Sequence, residues 1–274
     1  MSHSRGVLTE PTALLGPGPL ETALRAKRDA GRKLLVPYVT GGLGPDWLAV
    51  VEAVAFAGAD AVEVGLPFSD PVMDGPVIQE ASARALAAGA TPSGIVSSLG
   101  GVDPGVPLVV MTYYNPIFRA GHRRFASTLA GQGIAGAIVP DLPLDEMGEW
   151  SDAADAAGVE TILLAAPTTP DVRLVSICER SRGWVYGVGR MGVTGERATL
   201  SSTAVGMAAR LKGVTDKPVL IGVGVSTPDQ AAEVAGAADG VIVGTALVRR
   251  LLEGGGPDGA AAFVAALRSG LDAV

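Results

Sequence analysis

PVLIGVGVSTPDQAAEVAGAADGVIVGT, residues 218–245, holds a whole β-α-β unit in one line of sequence. Two runs rich in Val and Ile, Pro218 to Gly224 and Asp239 to Thr245, flank an Ala-rich stretch, Pro228 to Ala235, that is polar on one face. Short β-branched runs bounded by glycine and proline read as buried strands, and the amphipathic stretch between them reads as a helix. Strand, helix and strand in this order join two parallel neighbours, because a parallel pair needs a crossover of a dozen residues or more.

The same alternation runs back through the chain. LLVPYVT (Leu34 to Thr40), ADAVEVGLP (Ala59 to Pro67), PLVVMTYY (Pro107 to Tyr114), GAIVPDLP (Gly136 to Pro143), ETILLAA (Glu160 to Ala166) and GWVYGVG (Gly183 to Gly189) are further strands. Helical stretches such as Trp47 to Ala57 and Asp145 to Ala157 lie between them. Eight strands with helical crossovers predict an α/β fold of one closed (β/α)8 barrel, a TIM barrel, rather than an open sheet. The length of 274 residues suits that fold, for which about 250 is typical. An extra helix, Glu21 to Ala30, precedes the first strand and is expected to cover the barrel floor. Residues 1–18, with Pro11, Gly16, Pro17 and Gly18, read as a flexible arm, and residues 19–274 as a single catalytic domain.

Composition excludes several classes of function. The net charge is −7 and no Lys/Arg cluster is present, which argues against a nucleic-acid partner. Glycine, proline and serine interrupt the longest charge-free stretches, so none reads as the roughly 20-residue apolar run of a membrane span. The one cysteine, Cys178, has no partner for an internal disulfide, and the opening MSHSRGVLTE lacks the apolar core of a signal peptide. A cytoplasmic location is expected.

In a barrel of this type the active site is assembled at the C-terminal ends of the strands. Polar residues there include Tyr38 and Thr40 on the first strand, Glu63 on the second, Thr112 to Asn115 at the end of the third, Asp141 after the fourth, and Trp184 and Tyr186 on the sixth. Glu63 has apolar neighbours on both sides. Burial without a partner raises a carboxyl pKa, which lets a glutamate hold and release a proton near neutral pH. The same pattern admits a glutamate satisfied by structural hydrogen bonds. Asp70 and Asp74 lie in the following loop, FSDPVMDGP, where aspartate commonly serves as a turn residue. Asp74 follows Glu63 by eleven residues, close enough in the chain for both to face one substrate.

Glycine-rich segments end the last two strands, Gly222-Val223-Gly224 and Gly244-Thr245-Ala246-Leu247. Barrels that bind phosphate commonly use these loops and the N-terminal amides of a short helix, so a phosphorylated ligand is expected here, tight turns being the alternative. The loop GRMGVTGER, Gly189 to Arg197, reads either as a mobile lid or as a plain connection. None of the four lysines stands at a strand's C-terminal end, which argues against Schiff-base catalysis. His3 and His122 are the only histidines, so a histidine metal centre has no ligands, and no metal is expected. Carboxylates and a tyrosine are left to carry the chemistry. Cys178, Trp47 and Trp150 read as packing residues, Asp141 as structural or interfacial, and His122 as a solvated residue at a helix start.

Over nearly its whole length, from about Leu20 to Leu251, the chain resembles the tryptophan synthase α-subunit family. The motifs are VEVGLPFSDPVMDGPVIQ (Val62 to Gln79), VPYVTGG (Val36 to Gly42), YYNPIF (Tyr113 to Phe118), PDLPLDE (Pro140 to Glu146), GRMGVTG (Gly189 to Gly195) and IGVGVSTPDQ (Ile221 to Gln230). The resemblance implies retro-aldol cleavage of indole-3-glycerol phosphate to indole and glyceraldehyde 3-phosphate. Glu63 matches the family's proton shuttle, Asp74 the group that meets the indole N1–H, and Tyr186 a tyrosine beside the glutamate. Thr194 corresponds to a lid threonine that orders against the aspartate. Phosphate contacts carry over to the backbone of Gly195, Gly224 and Gly244 and to Thr245, where many members have serine. Tyr38 replaces a phenylalanine of some members and Trp184 a tyrosine, changes expected to reshape the indole pocket. The resemblance further implies an αββα assembly in which indole passes to a β subunit holding pyridoxal phosphate, the α chain using no cofactor itself. Asp70 and the segment around Asn115 match regions that face that subunit. Two other functions would use the same motifs: a stand-alone indole-3-glycerol phosphate lyase releasing free indole, and a non-catalytic phosphate-binding barrel acting as an allosteric partner.

Overall fold

The computed structural model describes residues 16–189, 197–222 and 224–274, and the side chains of all of these but 197–202. The strands are β1 (Leu34–Thr40), β2 (Val62–Gly65), β3 (Leu108–Met111), β4 (Ile134–Ile138), β5 (Glu160–Ala165), β6 (Val185–Val188), β7 (Val219–Gly222) and β8 (Gly240–Val243). They close in chain order into a parallel barrel, with β8 returning to β1 from Leu34 opposite Gly240 to Pro37 opposite Val243. Around them run α1 (Pro19–Asp29), α2 (Trp47–Phe56), α3 (Pro76–Ala87), α4 (Pro92–Leu99), α5 (Tyr114–Ala120), α6 (His122–Gly131), α7 (Gly148–Ala157), α8 (Asp171–Arg180), α9 (Arg197–Lys212), α10 (Pro228–Ala235), α11 (Thr245–Leu252) and α12 (Gly256–Leu271). No helix among the described residues is long and apolar enough to cross a membrane.

The period of two along each strand separates two cores. On β1, Leu34 and Val36 point inward and pack with Ala61, Val109, Ile138, Ile162, Leu220 and Ile242, while Leu35 and Val39 join the shell between strands and helices. Trp184 fills the interior layer with these residues and is fully buried. Reshaping of the ligand pocket by Trp184 is therefore corrected: it stands one inward-facing step below Tyr186, too deep to reach the mouth.

The helix before β1 closes the floor as expected, starting at Pro19 rather than Glu21. Leu20 and Leu24, one turn apart, are both fully buried in the interior cluster. The helix has no capping side chain of its own. The carboxylate of Glu160, at the start of β5, accepts the amide N–H of Leu20 at 2.6 Å and of Glu21 at 3.2 Å. Before β2, the buried Asp60 draws together Lys27, Arg32 and Arg268 at 3.1, 2.8 and 3.3 Å and accepts the Leu35 amide at 2.9 Å. Two other details depart from expectation. The helix expected from Asp145 opens as a 3-10 turn, Leu144–Glu146, before α7, a tightening common at helix starts. His122 is not simply solvated: its Nε2 lies 2.9 Å from the Tyr114 hydroxyl and its Nδ1 3.3 Å from Glu149.

Candidate active site

At the C-terminal mouth of the barrel lies a cavity of about 220 Å³. Every strand or the loop just past it contributes to the lining: Tyr38, Glu63, Met111, Pro140, Leu164, Tyr186, Gly222 and Ile242 in order. Glu63 points inward because it is in phase with Ala61, an interior residue two positions earlier. Across the β1/β2 pair its register partner is Tyr38. Two glycines make room for the aromatic rings, since a Cβ on Gly65 would overlap the Tyr38 hydroxyl and one on Gly222 would lie 2.6 Å from that of Tyr186.

The lining combines three kinds of group: the acids Glu63 and Asp74, the apolar side chains Ile78, Met111, Leu164 and Ile242, and the backbone-rich set Gly189, Gly222, Gly224, Gly244 and Thr245. Glu63 is only 1% exposed, and its Oε2 has no hydrogen-bond partner among the described residues. Burial, helped by the nearby charge of Asp74, pushes its pKa up to about 8. The carboxyl is therefore largely protonated at neutral pH. Asp74 is half-buried on the loop between β2 and α3, fixed by its amide donating to the Pro71 carbonyl at 3.2 Å and by Gln79 Nε2 donating to its own carbonyl at 2.9 Å. Burial raises its pKa too, opposed by a hydrogen bond from Tyr113. The Tyr186 phenol is driven well above its ordinary range, first by burial and then by Glu63, so it stays a neutral donor.

In the backbone-rich set, α11 begins at Thr245 with Gly244 as its N-cap, which supplies no side chain to satisfy the first amides. Gly224 sits at φ +69°, a left-handed conformation that turns the backbone after β7 toward the cavity at low cost for glycine alone. Unfilled amides at a helix start suit an anion.

The structure thus brings Tyr38, Glu63, Asp74, Tyr186, Gly224, Gly244 and Thr245 to one cavity. Thr194 and Gly195 lie outside the described residues, as does most of the Gly189 to Arg197 loop. Asp70 and Asn115 are exposed and stand outside the cavity, on the loop after β2 and the first turn of α5. One residue that the sequence leaves without a role is Tyr113, whose hydroxyl accepts the Met73 amide at 2.9 Å, next to Asp74, and opposes the rise that burial gives the Asp74 pKa. Its position at a strand end beside the acidic loop is the only sequence signal for that contact. Among the described residues no group of three or more His, Cys, Asp and Glu is placed to hold a metal ion.

Fold and cavity together define a (β/α)8-barrel enzyme equipped for acid–base chemistry. Comparison with known proteins narrows the class. The family model for the tryptophan synthase alpha chain matches residues 24–268, and the chain belongs to that family. The tryptophan synthase alpha chain of Streptomyces coelicolor is 46% identical over 247 residues, 88% of this chain and 90% of that one. That of Halorhodospira halophila is 45% identical over 258 residues, covering 90% and 94%. Among solved structures, a tryptophan synthase chain from Mycobacterium tuberculosis superposes with a TM-score of 0.86 at 39% identity, covering 93% of this chain and 99% of that one. The tryptophan synthase subunit alpha of Legionella pneumophila gives 0.85 at 30% identity, covering 94% and 100%.

Proposed function

We propose that this barrel cleaves indole-3-glycerol phosphate to indole and glyceraldehyde 3-phosphate with Glu63 as the proton shuttle and Asp74 as the partner of the indole N1–H. The protonated Glu63 delivers its proton to indole C3. The ring nitrogen then carries the positive charge, which the Asp74 carboxylate offsets through the N1–H. Glu63, now ionised, takes the proton of the glycerol hydroxyl next to the ring. As that oxygen becomes the aldehyde carbonyl, the bond from its carbon to C3 breaks and its electrons return to the ring. The net transfer is one proton from hydroxyl to C3, so the cycle needs acid–base groups alone, and the pyridoxal phosphate of the assembly belongs to the β subunit. Tyr186 holds its neutral hydroxyl beside Glu63, Tyr38 shapes the ring end, and the backbone at Gly224 and Gly244 with Thr245 receives the phosphate.

The observation that carries this reading is the buried carboxyl of Glu63, whose Oε2 has no hydrogen-bond partner among the described residues, in one cavity with Asp74 and with Gly244 and Thr245 at the start of α11. A β subunit is the proposed partner. Its support is the exposed apolar group Val72, Met73 and Phe118, at 80%, 58% and 63% exposure, on the loop that carries Asp70 and on α5, which carries Asn115.

The test is to incubate the chain with indole-3-glycerol phosphate, with and without a tryptophan synthase β subunit, and to follow indole release. Slow cleavage that rises with the β subunit is expected. In Glu63→Gln and Asp74→Asn it should fall by about 10²-fold or more, the scale of a lost general acid–base group. Unchanged rates in either variant would remove the role given to that residue. Fast cleavage by the chain alone, unaffected by the β subunit, would mark a stand-alone lyase.

A further inference from the structure

We propose that Tyr113 is a positioning residue for the reaction, clamped through Asp141 in the turn after β4 and donating its phenolic hydrogen to the carboxylate of Asp74. The proposal rests on the role of Asp74 given above. Tyr113 is almost fully buried, at 5% exposure, and its ring stacks on Phe68 with centroids 5.1 Å apart and planes 25° apart. Both chain neighbours are tied to β4 or the turn that follows it: the Thr112 amide donates to the Ile138 carbonyl at 3.0 Å, and the Tyr114 amide donates to Asp141 Oδ1 at 2.8 Å. The phenol therefore has little freedom to move.

The direction of its hydrogen bonds follows from chemistry. The Met73 amide can only donate, so at 2.9 Å the phenol oxygen accepts there. An ionised carboxylate can only accept, so the phenol hydrogen goes to Asp74. Burial pushes the phenol up to about 12, which keeps that hydrogen in place throughout the working range. One side chain thus fixes the loop backbone at Met73 and the acid at Asp74, and it favours the charged form of a carboxylate that burial would otherwise neutralise. Asp141, a residue with no other evident task at the mouth, acquires a reason for its place: it holds the turn that aims Tyr113.

The consequence for pH is one-sided. Without the phenol hydrogen, Asp74 takes up a proton at higher pH, so the acid limb of kcat/KM rises. The basic limb depends on Glu63, which does not touch Tyr113, and it stays where it was. In Tyr113→Phe, which keeps the ring and its stacking on Phe68, kcat should drop on the order of 10-fold. The acid limb should move up by about one pH unit, with the basic limb and the thermal midpoint unchanged. Asp141→Asn keeps an acceptor for the Tyr114 amide and should act close to wild type, whereas Asp141→Ala should move the acid limb in the same direction as Tyr113→Phe. A Tyr113→Phe variant whose acid limb does not move overturns the proposal, whether its rate falls or not. Asp74→Asn run alongside separates the two claims. If it retains full activity, the role of Asp74 fails. If it is inactive while Tyr113→Phe behaves as wild type, only the positioning role fails.

Discussion

Glu63 differs from the molecule's other buried acids in what faces it. Asp60 is surrounded by three cations and an amide, and Glu160 accepts two amides, whereas Glu63 leaves one oxygen unpaired and has a second acid for a neighbour. A group so placed should carry a proton at neutral pH. Difference infrared spectra of wild type against Glu63→Gln should show a protonated carboxyl band at pH 7 that disappears near pH 8, and in Asp74→Asn the midpoint should be lower because a like charge has gone. A band that titrates in the ordinary carboxylate range would sink the assignment. Much of this was legible beforehand, since a lone acid inside a Val/Ile run has few places to go but inward. The Tyr113 contact was not, because it ties the end of β3 to the loop after β2 through a hydrogen bond that no spacing encodes. Trp184 misled for a related reason: the end of β6 is blurred by a Gly-rich run, and one inward step separates the floor of the cavity from the packed interior.

At the scale of elements, the place and order of all eight strands were readable because they are largely buried runs rich in Val, Ile and Leu, whereas their ends were not: β4 spans Ile134–Ile138 where the sequence suggests Gly136 to Pro143. The crossovers were harder. Between β2 and β3 the chain forms two helices, α3 and α4, where Gly89 to Gly94 blurs the helical period, and between β3 and β4 it again forms two. The floor helix was visible as an amphipathic stretch, but what fastens its start was not, since Glu160 lies some 140 residues away. Two leucines and that borrowed cap are the attachment. Leu24→Ala should destabilise the barrel by about 2–5 kcal/mol through loss of a fully buried side chain in a packed layer. Glu160→Gln keeps one acceptor and should cost about 1 kcal/mol. Denaturant unfolding reads both. The rate of indole release per folded molecule should not change in either, because the site is at the opposite end of the barrel. A catalytic loss matching the loss of stability would mean that floor and mouth are coupled.

The whole molecule divides its charge between two ends. At the floor, buried ions are paired and hydrogen-bonded, as a stable interior requires. At the mouth, Glu63 and Asp74 are held close together with their pKa values raised, which costs stability and provides reactivity. The sign of that cost can be worked out for Glu63. Its pKa is about 8 in the folded barrel against 4.5 for an ordinary glutamate, so between those values the folded chain binds more proton than the unfolded one. Stability must then fall as pH rises from about 4.5 and level off above about 8, the contribution being complete below the lower value. Asp74 and Glu160, also raised by burial, push in the same direction and tilt the curve of any variant that keeps them. Glu63→Gln removes one titration and leaves theirs, so the difference between its unfolding free energy and that of wild type isolates Glu63. That difference should grow in favour of the glutamine variant from pH 5 to pH 8 and then stay constant, giving an inactive barrel that is more stable than the active one in alkaline solution. Parallel curves across this range would mean that Glu63 finds a partner in solution and that the mouth of the barrel carries no such cost.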